Sequence, residues 1–170
     1  MIYNKEGEVM SLNTGRFTTI QEEGVTVFII GMRINKWRAI KDWVPVMMAF
    51  PDMIKELEAN KHLGYMNGET FITGRTIISV QYWKSEAELL GYAKNEKHLK
   101  AWKQFNRKAR EAGNKVGLYH ETHIIEPGRT EAVYINMPDF ALGKTLGTRP
   151  ITKEMHTAKM RLDRKGKNSS

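Results

Sequence analysis

The ten residues Val25 to Ile34, VTVFIIGMRI, constrain the fold more than any other part of the chain. Alternate side chains of an extended strand point to opposite faces. Val25, Val27 and Ile29 then lie on one face and Phe28, Ile30 and Met32 on the other, so both are apolar as far as Arg33. A strand open to water on one side would alternate with polar residues, which predicts that this one is covered on both sides. A buried sheet therefore organises the chain, and each of its faces needs something packed against it.

Around that strand the remaining elements follow in order. Residues 1–24, with the turn formers Asn13-Thr14-Gly15 and Glu22-Glu23-Gly24, read as an irregular N-terminal arm. Asp42 suits the N-cap of a helix running to about Asn60, with Pro45 tolerated in its first turn. Pro51 costs roughly 3 kcal/mol in a regular helix interior and predicts a kink or two short helices. Strands are predicted at Tyr65 to Thr73 and Arg75 to Trp83, with Gly74 as the turn between them and Asn67-Gly68 as a turn or bulge. Ser85 with Glu88 is a capping-box signature for the next helix. That helix is expected to break near Asn95, resume through 97–112 and stop at Gly113. Val116 to Ile125 reads as the last core strand, ended by Pro127-Gly128. An extension over 128–147 contains a segment of strand character, Thr130 to Asn136. Residues 148–170, basic and poor in large apolar side chains, read as a disordered tail.

Within 25–127 the order is strand–helix–strand–strand–helix–strand, a ferredoxin-like α+β domain with an antiparallel sheet. Its helices cover one face of the sheet only. The doubly apolar first strand leaves the other face in need of a partner, and the simplest is a second copy of the same sheet, which makes a homodimer.

Composition removes several function classes. The chain has no cysteine, so disulfides, thiolate metal sites, iron–sulfur clusters and Cys nucleophiles are excluded. The first twenty residues lack a basic stretch followed by an apolar run, and the longest apolar stretch, Trp43 to Pro51, carries two prolines and falls short of the roughly 20 residues of a membrane span. A cytoplasmic protein with no membrane partner is the expectation. The net charge of +8 is concentrated in 94–115 and 144–170. The tail is either a solvated aid to solubility or a non-specific anion binder; no motif predicts specific nucleic-acid recognition.

Chemistry-bearing residues gather in two places. Along 97–112 the helical period aligns His98, Trp102, Phe105, Ala109 and Ala112, with Lys97, Lys100, Lys103, Arg107 and Arg110 opposite. His98 is a general base, an axial haem ligand or a core histidine, since a neutral imidazole serves each role. Trp102 and Asn106 beside it are suited to shaping and polarising a pocket. The run His120-Glu121-Thr122-His123 is not a zinc-protease motif, because its second histidine comes one residue early and points to the other face of a strand. His120 and Glu121 either line a cavity or pair within the sheet or dimer. Arg33, read as a buried charge, requires either a structural carboxylate, for which Glu121 is the candidate, or an anionic ligand oxygen. Asn35 either donates to a substrate oxygen or caps the next helix. Gly143-Lys144-Thr145 imitates the end of a phosphate loop, but the required first glycine falls on Pro138. No G-x-G-x-x-G occurs.

The run Val27-Phe28-Ile29-Ile30-Gly31-Met32-Arg33-Ile34-Asn35-Lys36-Trp37 resembles the first strand of a family named after a fungal terpenoid-pathway monooxygenase. That family lies within the antibiotic-biosynthesis monooxygenase superfamily of dimeric α+β barrels. The resemblance continues through Gln81-Tyr82-Trp83, through His98-x-x-Ala101-Trp102-x-x-Phe105-Asn106-Arg107, through His120-Glu121-Thr122 and through Glu131 to Pro138, covering roughly residues 16–145. It implies insertion of oxygen from molecular oxygen into an apolar, electron-rich small molecule without flavin or metal. The chemistry requires a base, a donor for the developing oxyanion and a dry pocket. His98 is the expected base, Arg33, Asn35 and Asn106 the polar donors, and Trp102, Phe105, Trp83, His120 and Glu121 the substrate-contacting residues. No cofactor and no metal are expected. Relatives on this fold that use haem imply an alternative in which His98 binds haem iron, and a non-catalytic small-molecule-binding module is the second alternative.

Overall fold

The computed structural model of the chain describes residues 11–94 and 96–163, with the side chains of Phe50, Asp52, residues 96–101 and Gln104 outside the description. In chain order the strands and α-helices are β1 (Asn13–Thr18), β2 (Val25–Ile34), α1 (Ile40–Ala59), β3 (Tyr65–Thr73), β4 (Thr76–Trp83), α2 (Glu86–Ala93), α3 (Glu96–Ala112), β5 (Val116–Ile125), β6 (Tyr134–Met137), α4 (Leu142–Leu146), β7 (Arg149–Pro150) and α5 (Ala158–Leu162). They divide into two units, Val25–Ile124 and Met1–Gly24 with Ile125–Ser170.

The first unit holds a four-stranded sheet ordered β3-β4-β2-β5. This is the strand order of a ferredoxin-like βαββαβ domain, reached because each helix crosses over to leave room for one strand between the pair it joins. β2 and β3 each pair with β4 antiparallel, with Ile30 opposite Ser79, Met32 opposite Ile77 and Phe71 opposite Ile78. A register shift between Tyr65 and Asn67 is the irregularity expected near Asn67-Gly68. Gly74, at φ +54°, turns β3 into β4.

One face of β2 carries the core. Ile30, Met32 and Ile34 pack with Ile77, with Val46 and Met53 of α1, and with Phe105 and Ala112 of α3. A second cluster joins Leu57, Tyr65, Trp83, Leu89 and Tyr92. Trp83 is the centre of it, its ring 5.6 Å from Tyr65 and 5.3 Å from Tyr92. Ser79 and Gln81, both buried on the same face, are satisfied in series: Trp83 Nε1 donates to Gln81 Oε1 at 3.2 Å and Gln81 Nε2 reaches Ser79 Oγ at 3.5 Å. Such pairing is what makes a polar row tolerable in a core.

Burial, with the Glu58 and Glu69 carboxylates, pushes the Tyr65 phenol up to about 12, and burial with Glu56 raises that of Tyr92 further. Tyr134 is raised too, by burial, against the lowering effect of the amide of Gly143 that donates to its oxygen at 2.8 Å. Free tyrosine ionises near about 10. A phenol whose pKa is higher folded than unfolded holds its proton longer in the native state, so its stabilisation is complete below pH 10 and is lost as pH rises above it. An alkaline absorbance titration is therefore expected to show Tyr65, Tyr92 and Tyr134, three of six tyrosines, ionising only with loss of near-UV circular dichroism. Six phenols titrating near about 10 in a chain that remains folded would contradict this.

Several local expectations are met. Ser85 caps α2, its Oγ accepting from the Glu88 amide at 3.3 Å and lying 3.0 Å from Glu88 Oε2. Gly113, at φ +58°, follows the end of α3. Others are corrected. Asp42 is not the N-cap of α1: it lies in the first turn, and its carboxylate accepts from Lys115 Nζ at 2.8 Å, a partner no local pattern reveals. α1 is one helix through Pro45 and Pro51, so of the two alternatives at Pro51 that of two short helices is overturned.

In the second unit the N-terminal arm contributes β1 to a three-stranded sheet ordered β6-β1-β7. Strand structure in the 130–136 region begins only at Tyr134. Of residues 148–170, expected to be disordered, 149–163 contain β7, a 3-10 turn and α5, and 164–170 lie outside the described residues. The Arg161 side chain is 8% exposed and explains this order: its Nη1 donates to the Met155 carbonyl at 2.7 Å, and its Nε donates to Glu131 at 2.6 Å. A charge-assisted network of this kind fastens a segment whose composition alone suggests none.

Candidate functional site

Helical spacing on α3 and alternation on β5 bring four of the expected residues to one place. Trp102, Phe105 and Asn106 face the sheet from α3, and together with Ile30, Gly31, Leu118, Tyr119 and His120 they line a cavity of about 190 Å³. Its walls are mostly apolar. Trp102 and Phe105 are stacked, centroids 5.7 Å apart and planes at 23°, and the His120 ring lies 5.7 Å from Phe28. Asn106 Nδ2 donates to the Trp102 carbonyl at 3.0 Å. That bond orients the amide and leaves it one further N–H and its Oδ1.

His98 belongs to α3, one turn before Trp102, but its side chain lies outside the described residues. The other expected site residues are elsewhere. Arg33 is exposed, with Nη1 3.4 Å from Thr76 Oγ1, so the premise that it is a buried charge in need of a carboxylate is removed. Strand alternation puts it opposite Met32, on the face turned away from the helices. Glu121 is also exposed and is 3.2 Å from His123, two residues on along the same face of β5. Asn35 donates from Nδ2 to the Asn114 carbonyl at 3.2 Å. Trp83 is buried in the Tyr65–Tyr92 cluster and does not line the cavity.

Sequence reasoning missed Gly31 and Tyr119. Residue 31 strongly favours glycine, since an added Cβ would lie 2.5 Å from Tyr119 Cε1 and 2.8 Å from the Ile77 carbonyl oxygen. The signal was the one small residue in a strand of large ones, which often marks close approach of another backbone or ring.

Pockets for drug-sized ligands run about 300–1,000 Å³. A cavity of about 190 Å³ suits a smaller compound. Among the described residues no group of three or more His, Asp or Glu is placed to hold a metal ion. Among them, too, no helix is long and apolar enough to cross a membrane.

Two aldoxime dehydratase structures, one in complex with butyraldoxime, share the fold: TM-scores are 0.61 and 0.58 at 15% and 19% identity, covering 82% and 77% of this chain. The chain spans 44% and 42% of those proteins, less than half of either. A dimeric protein of ferredoxin-like fold from Bacteroides fragilis is similar over 61% of this chain and 99% of its own, at 14% identity and a TM-score of 0.44. No curated protein matches the chain. Over residues 25–142, which hold the whole four-stranded sheet and the cavity, the sequence matches a family described as Monooxygenase af470-like, and the chain belongs to that family.

Proposed function

We infer that the cavity between α3 and the sheet binds a small, apolar, electron-rich compound and supports its oxygenation without flavin or metal. The observation that carries this reading is the cavity's make-up among the described residues: an aromatic and aliphatic lining with the imidazole of His120 and the partly engaged amide of Asn106. A base removes a proton from an activated CH₂ of the substrate, and the carbanion passes an electron to molecular oxygen. Radical recombination and loss of water then turn R₂CH₂ and O₂ into R₂C=O and H₂O, so one oxygen atom enters the product. The protein's part is to take the proton, to hydrogen-bond the developing oxyanion and to keep water away. His98 is assigned as the base and Asn106 as the donor. Arg33 and Asn35, which do not line the cavity, take no part. A homodimer, formed by a second copy covering the face of the sheet that carries Val27, Ile29, Ile78 and Val80, belongs to the same reading. A solution mass of one chain would remove it.

Oxygen uptake on a panel of phenols and enolisable aromatic ketones tests the reaction. His98→Ala is expected to lower kcat by about 100-fold or more, the usual weight of a general base, while His120→Ala acts mainly on KM. Equal turnover in His98→Ala and the parent removes the base assignment. Saturable binding without oxygen uptake makes the protein a non-catalytic module, and a Soret band on adding haemin restores the haem alternative.

A further inference from the structure

We propose that one end of the four-stranded sheet docks on an anionic lipid surface. The Ile34 amide donates to the Arg75 carbonyl at 2.7 Å, and the Asn35 amide to that of Lys115 at 2.8 Å. These bonds bring the β2–α1 loop, the β3–β4 turn and the segment after α3 to the same end. There Trp37, Ile40 and Ile72 are 51%, 59% and 77% exposed. Trp37 is held rigidly in that position: its ring stacks on Trp43 at 5.4 Å, and Trp43 Nε1 donates to the Trp37 carbonyl at 3.0 Å. Beside it is a shallow recess of about 300 Å³ lined by Trp37, Gly74 and Arg75.

The charge around these side chains is predominantly positive. Residues 33–42, 73–76 and 110–115 hold seven cations, Arg33, Lys36, Arg38, Lys41, Arg75, Arg110 and Lys115, and two acids, Asp42 and Glu111. Both acids are already engaged, Asp42 by Lys115 and Glu111 by Arg107. Indole and aliphatic side chains ringed by Lys and Arg match the boundary between headgroups and acyl chains, where tryptophan is favoured and cations meet acidic phosphates. A nucleic acid would satisfy the charges but offers nothing apolar to Ile40 and Ile72. This contact needs no spanning helix and is independent of the reaction proposed for the cavity.

Sedimentation of the full chain with vesicles tests it, using phosphatidylcholine alone or mixed with phosphatidylglycerol at low ionic strength. Binding is expected to be at least tenfold tighter to the mixed vesicles, with a blue shift of tryptophan fluorescence. Each cation near such a surface contributes about fivefold in affinity, so Arg38→Glu with Lys41→Glu is expected to abolish binding. Trp37→Ala is expected to weaken it about tenfold; Ile40→Ser, which leaves the Trp37–Trp43 stack in place, is expected to weaken it as well. Reversing a cation of α3 outside this end, Lys103→Glu, is expected to change it less than twofold. Absence of binding to the mixed vesicles overturns the proposal. So does an equal loss in the α3 control, binding unaffected by both Trp37→Ala and Ile40→Ser, or equal Trp37-dependent binding to a soluble polyanion such as DNA or polyglutamate.

Discussion

Replacing Phe105 by alanine is expected to cost about 3–5 kcal/mol, the range for deleting a fully buried aromatic side chain. Phe105 is 2% exposed and belongs to the core cluster shared by β2, α1 and α3. Its ring also stacks on Trp102 and forms part of the cavity wall. The substitution therefore opens the core and the site together. Urea unfolding reads the first effect; at about 2–4 °C per kcal/mol for a chain of this size, the Tm falls by roughly 6–20 °C. The second is read by ligand size, since removing the ring enlarges the cavity and shifts preference towards bulkier apolar compounds. Phe105→Leu keeps most of the volume and is expected to cost less than about 1.5 kcal/mol. A Phe105→Ala protein within 1 kcal/mol of the parent would mean that Phe105 is not a core residue.

The division of labour at Phe105 was legible because helical spacing is local. His98, Trp102, Phe105 and Ala112 recur at the helical period, and the structure puts Phe105 and Ala112 in the core and Trp102 against it. The same holds for the strand Val25–Ile34, for Ser85 with Glu88, and for His120 facing away from Glu121 and His123. What escaped was decided by residues far along the chain. Asp42 reads as a cap until Lys115, 73 residues away, claims its carboxylate. The C-terminal residues read as disorder because composition does not reveal that Arg161 meets Glu131, 30 residues upstream. Arg33 was misread for a simpler reason. An apolar strand predicts burial for its middle, and β2 ends one residue later, where alternation and the strand end return the side chain to solvent.

Gly31→Ala is expected to destabilise the fold by about 1–3 kcal/mol, and Gly31→Val by more, because the space beside this position is already occupied. Two neighbours compete for the place of the new Cβ, and they differ in kind. Tyr119 Cε1, at 2.5 Å, belongs to a partly exposed side chain that can rotate aside; the Ile77 carbonyl oxygen, at 2.8 Å, belongs to the β4 backbone and cannot move without disturbing the ladder between β2 and β4. A double-mutant cycle separates them. Tyr119→Ala in the Gly31→Ala background is expected to recover only part of the loss, leaving a residual of about 1 kcal/mol that reports the backbone contact. Full recovery would assign the whole constraint to the tyrosine. Gly31→Ala within 0.5 kcal/mol of the parent in urea unfolding would show that the sheet yields at this point. Because Gly31 and Tyr119 also line the cavity, the same pair of variants tests the site: if the Tyr119 ring is a wall of it, Tyr119→Ala alone widens the range of ligands bound while leaving stability close to that of the parent.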